Sequence, residues 1–271
     1  MLNRMPLAVL FCSLSVFGSL TAEADDSYKV LFLGNSMYFV SGGSVTPFKG
    51  FCSAAGIECE AASQFEYFGP PLLGRISPFI DNQFHDERIL SLIKSGGFDY
   101  VVLKTRPTDF LDETTAQVTV EAFKEMHRLI VTSGAQTVIY MQHMMEIGRV
   151  GLGLSERVDA DAAFETMPQI VEGHRKVRAE LEAMRINDEQ HSILLVPVGL
   201  LRIDGTEEFG VDAWWADRFH GTELAEYATG CMLYAYITKN DPRTNTFGDN
   251  ATQEQAEWIK NRVWWYRTNF Q

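Results

Sequence analysis

The sequence predicts an α/β fold, a three-layer sandwich with a five-stranded parallel sheet between two layers of helices. Three observations predict this class. Short runs of consecutive apolar residues alternate with longer segments of helical periodicity. Strands that are apolar throughout are typical of parallel sheets buried on both faces. No linker, internal repeat or low-complexity tract interrupts the pattern, which predicts one domain over residues 25–271.

The elements follow in a regular order. Apolar runs predict strands at 28–33, 57–62, 99–104, 137–141 and 193–198. A polar turn at 41–44 precedes a helix through residue 55, and helical spacing predicts further helices at 86–95, 113–132, 160–184, 223–238 and 253–266. The segment 65–78, rich in Gly, Pro and aromatic residues, is predicted to be a loop. This rhythm is typical of a flavodoxin-like sheet.

Residues 1–24 have the features of a cleaved bacterial secretory signal. Arg4 supplies a positive charge, residues 7–17 form a short apolar run, and Ala22-Glu23-Ala24 gives small residues at signal-peptidase spacing. We therefore expect Asp25 as the first mature residue, a periplasmic or secreted protein, and no membrane insertion after cleavage. The alternative is an uncleaved N-terminal anchor.

The composition and net charge disfavour some classes of binding partner. Hydrophobic residues make up 46% and charged residues 22%, as in an ordinary globular protein. The formal net charge of −13 disfavours nucleic acid and anionic lipid as partners, because both carry negative charge.

Three cysteines follow the predicted signal. Cys52 and Cys59 fall on a helix end and the next strand, so they are either disulfide-bonded or small buried side chains. Cys231 lies in an apolar helical pattern and is predicted to be core. No cysteine or histidine spacing indicates a zinc site.

The active site of such a sheet lies at the carboxyl ends of the strands. This rule selects Ser36 after the first strand, the loop 68–74 after the second, residues 104–108 after the third, and Gln142 and His143 after the fourth. His143 is a candidate substrate contact or a structural histidine. Of the other histidines, His85, His127, His174 and His191 are expected at the surface.

A nucleophile, a base and an acid can be assembled from two segments. Ser36 needs an adjacent base, and His220 can serve if an acid orients its ring. Asp217 lies three residues before His220 and is within local reach. The alternative for Ser36 is a polar residue that starts a helix, and for Asp217 and His220 a helix start with a surface histidine.

These two segments resemble the SGNH, or GDSL-like, hydrolase family. Gly34-Asn35-Ser36 resembles the family's Gly-Asp-Ser block after the first strand, and the 217–220 segment resembles its Asp-x-x-His block near the end. The element order resembles the family over essentially the whole mature chain. The resemblance implies an SGNH-type sandwich and ester hydrolysis through an acyl-enzyme, with neither a metal nor an organic cofactor.

The resemblance also implies an oxyanion hole. The Ser36 N–H is one donor, and Gly69 matches the family glycine after the second strand, with Gly74 as second choice. The family asparagine after the third strand has no counterpart in residues 104–109, where Thr105 or Arg106 is the candidate replacement donor. Loss of one such donor costs about 10²–10³ in turnover.

The expected substrate is a small-molecule or carbohydrate ester. Trp214 and Trp215, just before Asp217, are either core or one wall of a sugar-binding cleft. Two other functions stay open: a non-catalytic relative that binds a glycan or ester, and a nucleotide or phosphate binder that uses the turn after the first strand. The turn's single glycine and the absence of a phosphate-binding motif disfavour the binder.

Overall fold

The computed structural model describes residues 27–34, 43–65, 87–142, 160–216 and 220–270. Residues 1–24, the predicted signal peptide, lie outside these ranges. Within the described ranges, every helix is too short or too polar to cross a membrane.

Five parallel strands form one sheet, which confirms the predicted fold class. They are β1 (Ser27–Gly34), β2 (Glu58–Phe65), β3 (Tyr100–Lys104), β4 (Gln136–Tyr140) and β5 (Leu194–Val196). The order across the sheet is β2-β1-β3-β4-β5, the flavodoxin-like doubly wound order. In this order the chain leaves β1 in one direction to form β2 and then returns past it to form β3.

Helices cover both faces of the sheet. They are α1 (Val45–Ala54), α2 (Glu87–Ser95), α3 (Glu113–Thr132), α4 (Ala160–Glu182), α5 (Val198–Phe209), α6 (Val211–Trp214), α7 (Glu223–Thr238) and α8 (Gln253–Asn269). Within the part of the chain that the structure describes, short 3₁₀ segments occupy Pro107–Phe110 and Pro242–Thr244. The predicted helices agree with these bounds within one or two residues at most ends, and α8 runs three residues further than predicted.

The last predicted strand is wrong at its C-terminal end. Residues 193–198 were expected to be extended, but β5 stops at Val196 and α5 begins at Val198. Pro197 lies between them as the residue before the helix, and its carbonyl accepts from the Leu200 and Leu201 N–H groups. Proline suits such a start because its φ is already close to helical.

Two apolar clusters form the core, one on each face of the sheet. Alternate strand residues such as Phe32 and Val102 face α1, α7 and α8. Their neighbours Leu33 and Leu103 face α2, α3 and α4. Both clusters use the same strands, because successive side chains of a strand point to opposite faces.

The expected surface positions of two histidines are wrong. His127 and His174 are fully buried, and their Nδ1 atoms lie 2.8 Å from Thr137 Oγ1 and the Ile170 carbonyl, respectively. Burial lowers the pKa of each to about 4. The helical pattern does not reveal this burial, because a neutral imidazole with one hydrogen-bonded nitrogen can pack among apolar side chains.

The structure also shows where three cysteines and two tryptophans lie. Cys52 and Cys59 are free thiols and interact with each other, which lowers the pKa of the Cys59 thiol. Cys231 is fully buried, as predicted. Trp214 and Trp215 are buried, which places both in the core and not in the wall of a cleft.

Candidate functional site

The carboxyl ends of β1 and β3 lie side by side at the point where the strand order reverses. Leu33 near the end of β1 pairs in register with Leu103 near the end of β3. A crevice outside this pair of strands is the usual ligand site of an open α/β sheet. Ser36 follows Gly34, the last residue of β1, by two positions and lies outside the described residues.

His220 lies in a short connection that is tied at both ends. Trp215 and Gly221 form an antiparallel bridge, and the Ala216 N–H donates to the His220 carbonyl at 2.9 Å. The His220 side chain is half-buried. Asp217, its predicted orienting acid, lies outside the described residues.

The helix after His220 has its own cap. Thr222 precedes α7, and its hydroxyl accepts from the Ala225 N–H at 3.4 Å and donates to the Ala213 carbonyl at 2.6 Å. The start of α7 therefore uses Thr222 as its cap and does not require His220 for that role.

The end of β3 carries the segment where the family asparagine is absent. The Thr105 hydroxyl, which is fully buried, donates to Asp109 Oδ2, and the same oxygen accepts from the Arg106 N–H at 3.1 Å. The Thr105 proton is thus already committed to a carboxylate. Arg106, whose side chain is half-buried, stays a candidate oxyanion donor.

The remaining predicted residues are untested. Gly69, Gly74 and His143 lie outside the described residues. Gln142, which precedes His143, is fully buried. Among the described residues, no group of three or more His, Cys, Asp and Glu side chains is arranged to hold a metal ion.

A buried polar cluster that the sequence did not reveal lies between α1, α5 and α7. Arg202 Nη2 donates to Glu226 Oε1 at 2.7 Å and to Thr229 Oγ1 at 3.2 Å. The Ser44 hydroxyl donates to Glu226 Oε2. Ser44, Arg202 and Glu226 are all at most 5% exposed. We call Ser44, Arg202, Glu226 and Thr229 the buried polar cluster.

Two further polar side chains border this cluster from the sheet. Lys104 is fully buried at the end of β3, with its ammonium nitrogen 4.7 Å from the centre of the Tyr140 ring. Burial, aided by the nearby Arg202 guanidinium, lowers the pKa of Lys104 well below its ordinary value. Burial raises the pKa of Tyr140 to about 12.

A sequence signal for this cluster exists in retrospect. Glu226 is a charged residue inside the apolar run of α7, and Arg202 lies between apolar residues in the segment that continues from the last strand. Charged side chains are almost never fully buried unless they are paired. Their positions among apolar residues indicate that each charge is paired if it is buried, without identifying the partner.

Solved structures share this fold. A DUF4886 family protein from Bacteroides uniformis superimposes with a TM-score of 0.61 at 13% identity, over 88% of this chain and 93% of that one. A protein from Slackia heliotrinireducens, provisionally named an SGNH hydrolase, gives a TM-score of 0.52 at 14% identity, over 78% and 99% of the two chains. A family 3 carbohydrate esterase from Clostridium thermocellum gives 0.50 at 12% identity, over 79% and 96%.

The fold is therefore that of the SGNH hydrolases and esterases. No family model matches the sequence, and no curated protein does either. At 12–14% identity the likeness establishes the arrangement of strands and helices, and the chemistry has to be argued from the site.

Proposed function

We propose that the protein is an exported serine hydrolase of the SGNH type that cleaves ester bonds through an acyl-enzyme. One observation carries the proposal. Glu226, which lies in the first turn of the helix after His220, is hydrogen-bonded to Ser44, which follows the segment that contains Ser36. The contact supports the proposal because it joins the helix that follows the candidate base to Ser44, which follows the candidate nucleophile in sequence.

Each residue has a defined part in the reaction. Ser36 Oγ attacks the ester carbonyl while His220 takes the hydroxyl proton, and the imidazolium then protonates the departing alcohol. Water, deprotonated by His220, attacks the acyl-enzyme and releases the carboxylic acid and free Ser36. Asp217 orients the His220 ring. The Ser36 N–H, the Gly69 N–H and the Arg106 guanidinium stabilise the oxyanion.

The test is hydrolysis of a short-chain aryl ester, 4-nitrophenyl acetate, by the purified protein. The Ser36→Ala variant is expected to lose at least about 10³-fold in kcat, because the nucleophile is removed. The same variant should no longer react with a fluorophosphonate. Ser41→Ala, a serine of the same connecting segment, is the matched control and should keep full activity. Equal rates for wild type and Ser36→Ala would refute the assignment.

The segment 104–109 favours one competing proposal, a non-catalytic protein that binds an ester or glycan. It has no asparagine, and its buried hydroxyl donates to Asp109. The fluorophosphonate experiment separates the two proposals, since a binding protein would leave Ser36 unlabelled while it retained a ligand.

An acylated carbohydrate is the proposed natural substrate. The carbohydrate esterase of the same fold supports this choice, whereas the buried positions of Trp214 and Trp215 remove the sequence-based reason for it. Acetate release from an acetylated oligosaccharide, compared with release from a simple alkyl acetate, tests the substrate class. Recovery of the protein from the periplasm or medium, with Asp25 as its first residue, tests export.

A further inference from the structure

We infer that the buried polar cluster is a positioning device that fixes the His220 segment relative to the start of α1. The inference deepens the proposed function and rests on it for the role of His220. The cluster does not contact substrate in this scheme. It sets the position of the segment that carries the candidate base relative to the start of α1, which follows the candidate nucleophile in sequence.

Glu226 is the centre of the cluster. One carboxylate oxygen accepts from Arg202, which comes from α5, and the other accepts from Ser44, which precedes α1. Three elements distant in sequence therefore meet at one side chain. Ser44 occupies the cap position of α1 but makes no side-chain cap bond there. Its hydroxyl is directed to Glu226 instead of stabilising its own helix.

The backbone of the His220 segment rests directly on the ion pair. A Cβ atom placed on Gly221 would lie 2.4 Å from Arg202 Nη1 and 2.9 Å from Glu226 Oε1. Only a residue without a side chain permits this approach, so the residue after His220 is held against the pair. The Arg202 guanidinium also lies 5.5 Å from the centre of the Trp215 ring, on the opposite strand of the same bridge.

Stability alone is a weak reason for such a pair. Removing two charges from water carries a desolvation cost that can equal or exceed their mutual attraction, and apolar replacements of similar volume are often neutral or stabilising. A buried pair is better suited to fixing one arrangement, because its hydrogen bonds are lost when the elements shift. Here the elements it fixes carry the candidate base and follow the candidate nucleophile.

The Ser44→Ala variant is the sharpest test, because it removes one hydroxyl from the cluster and leaves the Arg202–Glu226 pair in place. We expect kcat for 4-nitrophenyl acetate to fall about tenfold with KM nearly unchanged. The kcat of Glu226→Gln should fall further. The loss of kcat in the double variant should be smaller than the product of the two single losses, because both substitutions remove the same contact.

Thr137→Val is the matched control. It removes another buried hydrogen bond, that of the Thr137 hydroxyl with His127, in the half of β4 near its amino end. It should lower the melting temperature at least as much as Ser44→Ala and leave kcat unchanged. If Ser44→Ala keeps wild-type kcat, or if both variants lose activity in proportion to their loss of stability, the positioning role is refuted.

Hydrogen exchange keeps the inference testable if the protein proves not to be an esterase. Ser44→Ala should speed amide exchange at residues 220–222 and at the start of α1, while Thr137→Val should not. Absence of esterase activity in the wild type together with this exchange pattern would refute the proposed function and retain the structural link. Unchanged exchange at 220–222 would overturn the link itself.

Discussion

At the scale of single residues, the two buried histidines show how the interior selects a protonation state. His174 lies among apolar side chains of α4, with its ring centroid 4.5 Å from that of Phe110. Its environment offers one hydrogen bond, to the Ile170 carbonyl, and no nearby carboxylate in the described contacts. The neutral ring is therefore favoured. Protonation of His174 is unfavourable because it buries a positive charge.

This environment predicts a pH dependence of stability. The pKa of His174 is about 4 in the folded protein and about 6.5 in the unfolded chain. As pH falls from 6.5 towards 4, the unfolded chain binds a proton that the folded protein does not, so stability falls. At pH 5 this histidine should cost about 2 kcal/mol relative to pH 7.

Urea unfolding of wild type and His174→Asn at pH 7 and pH 5 measures the effect. The variant is expected to be less stable at pH 7, because it leaves a cavity. Its further loss between pH 7 and pH 5 should be smaller than that of wild type by about 2 kcal/mol. A variant that loses as much stability as wild type over this interval would show that His174 is not the titrating group.

At the scale of elements, the contact between α1 and α7 is unusually close. A Cβ atom on Gly230 of α7 would lie 2.6 Å from both the Phe48 nitrogen and Pro47 Cβ of α1. The obstacle is largely backbone, which yields only if the whole helix moves. This approach brings Glu226, one turn earlier on α7, within reach of Ser44.

Gly230→Ala should therefore destabilise the protein, although alanine is the better helix former by about 1 kcal/mol. Overpacking of this kind costs about 1–3 kcal/mol, so we expect a net loss of free energy of unfolding. Asn261→Ala, at an exposed position inside α8, should instead be neutral or stabilising by a few tenths of a kcal/mol. Thermal and urea unfolding compare the two variants. A Gly230→Ala protein as stable as wild type would contradict the close contact.

Helices with a clear apolar periodicity or a long apolar run could be predicted from sequence, whereas α5 could not. The helix α3 matched its prediction at both ends, since Asp112 caps it and one face alone is apolar. The helix α5 was missed because its buried residues include Arg202, Gly205 and Thr206, which obscure any periodicity.

The same limit applied to the site. Ser36 and His220 are predicted from local motifs, whereas Ser44 and Glu226 are 182 positions apart and meet only in the folded chain. Their contact requires the close packing of α1 on α7, which depends on a glycine whose role no local pattern shows. Candidate catalytic residues can therefore be proposed from local sequence, whereas the contacts between distant segments cannot.

At the scale of the whole molecule, one sheet separates two core clusters that share all five strands. Separation of the strands would therefore disrupt both clusters at once. The tryptophans report on one side only: all five lie between residues 211 and 269, in the elements α6 and α8 and directly after α6. Their fluorescence therefore follows the face that packs against α1, α7 and α8.

This arrangement predicts one cooperative unfolding transition. Tryptophan fluorescence, which reports on one face, and far-UV circular dichroism, which includes α2, α3 and α4 on the other, should give the same urea midpoint. Amide exchange of α3 should show the same free energy of opening as that of α7, because the strands between them belong to both cores. Non-coincident midpoints, or an α3 that opens at markedly lower free energy than α7, would show that the two layers unfold separately. In that case tryptophan fluorescence would show at which transition the buried polar cluster is lost, because Ser44, Arg202 and Glu226 lie within the tryptophan-bearing layer.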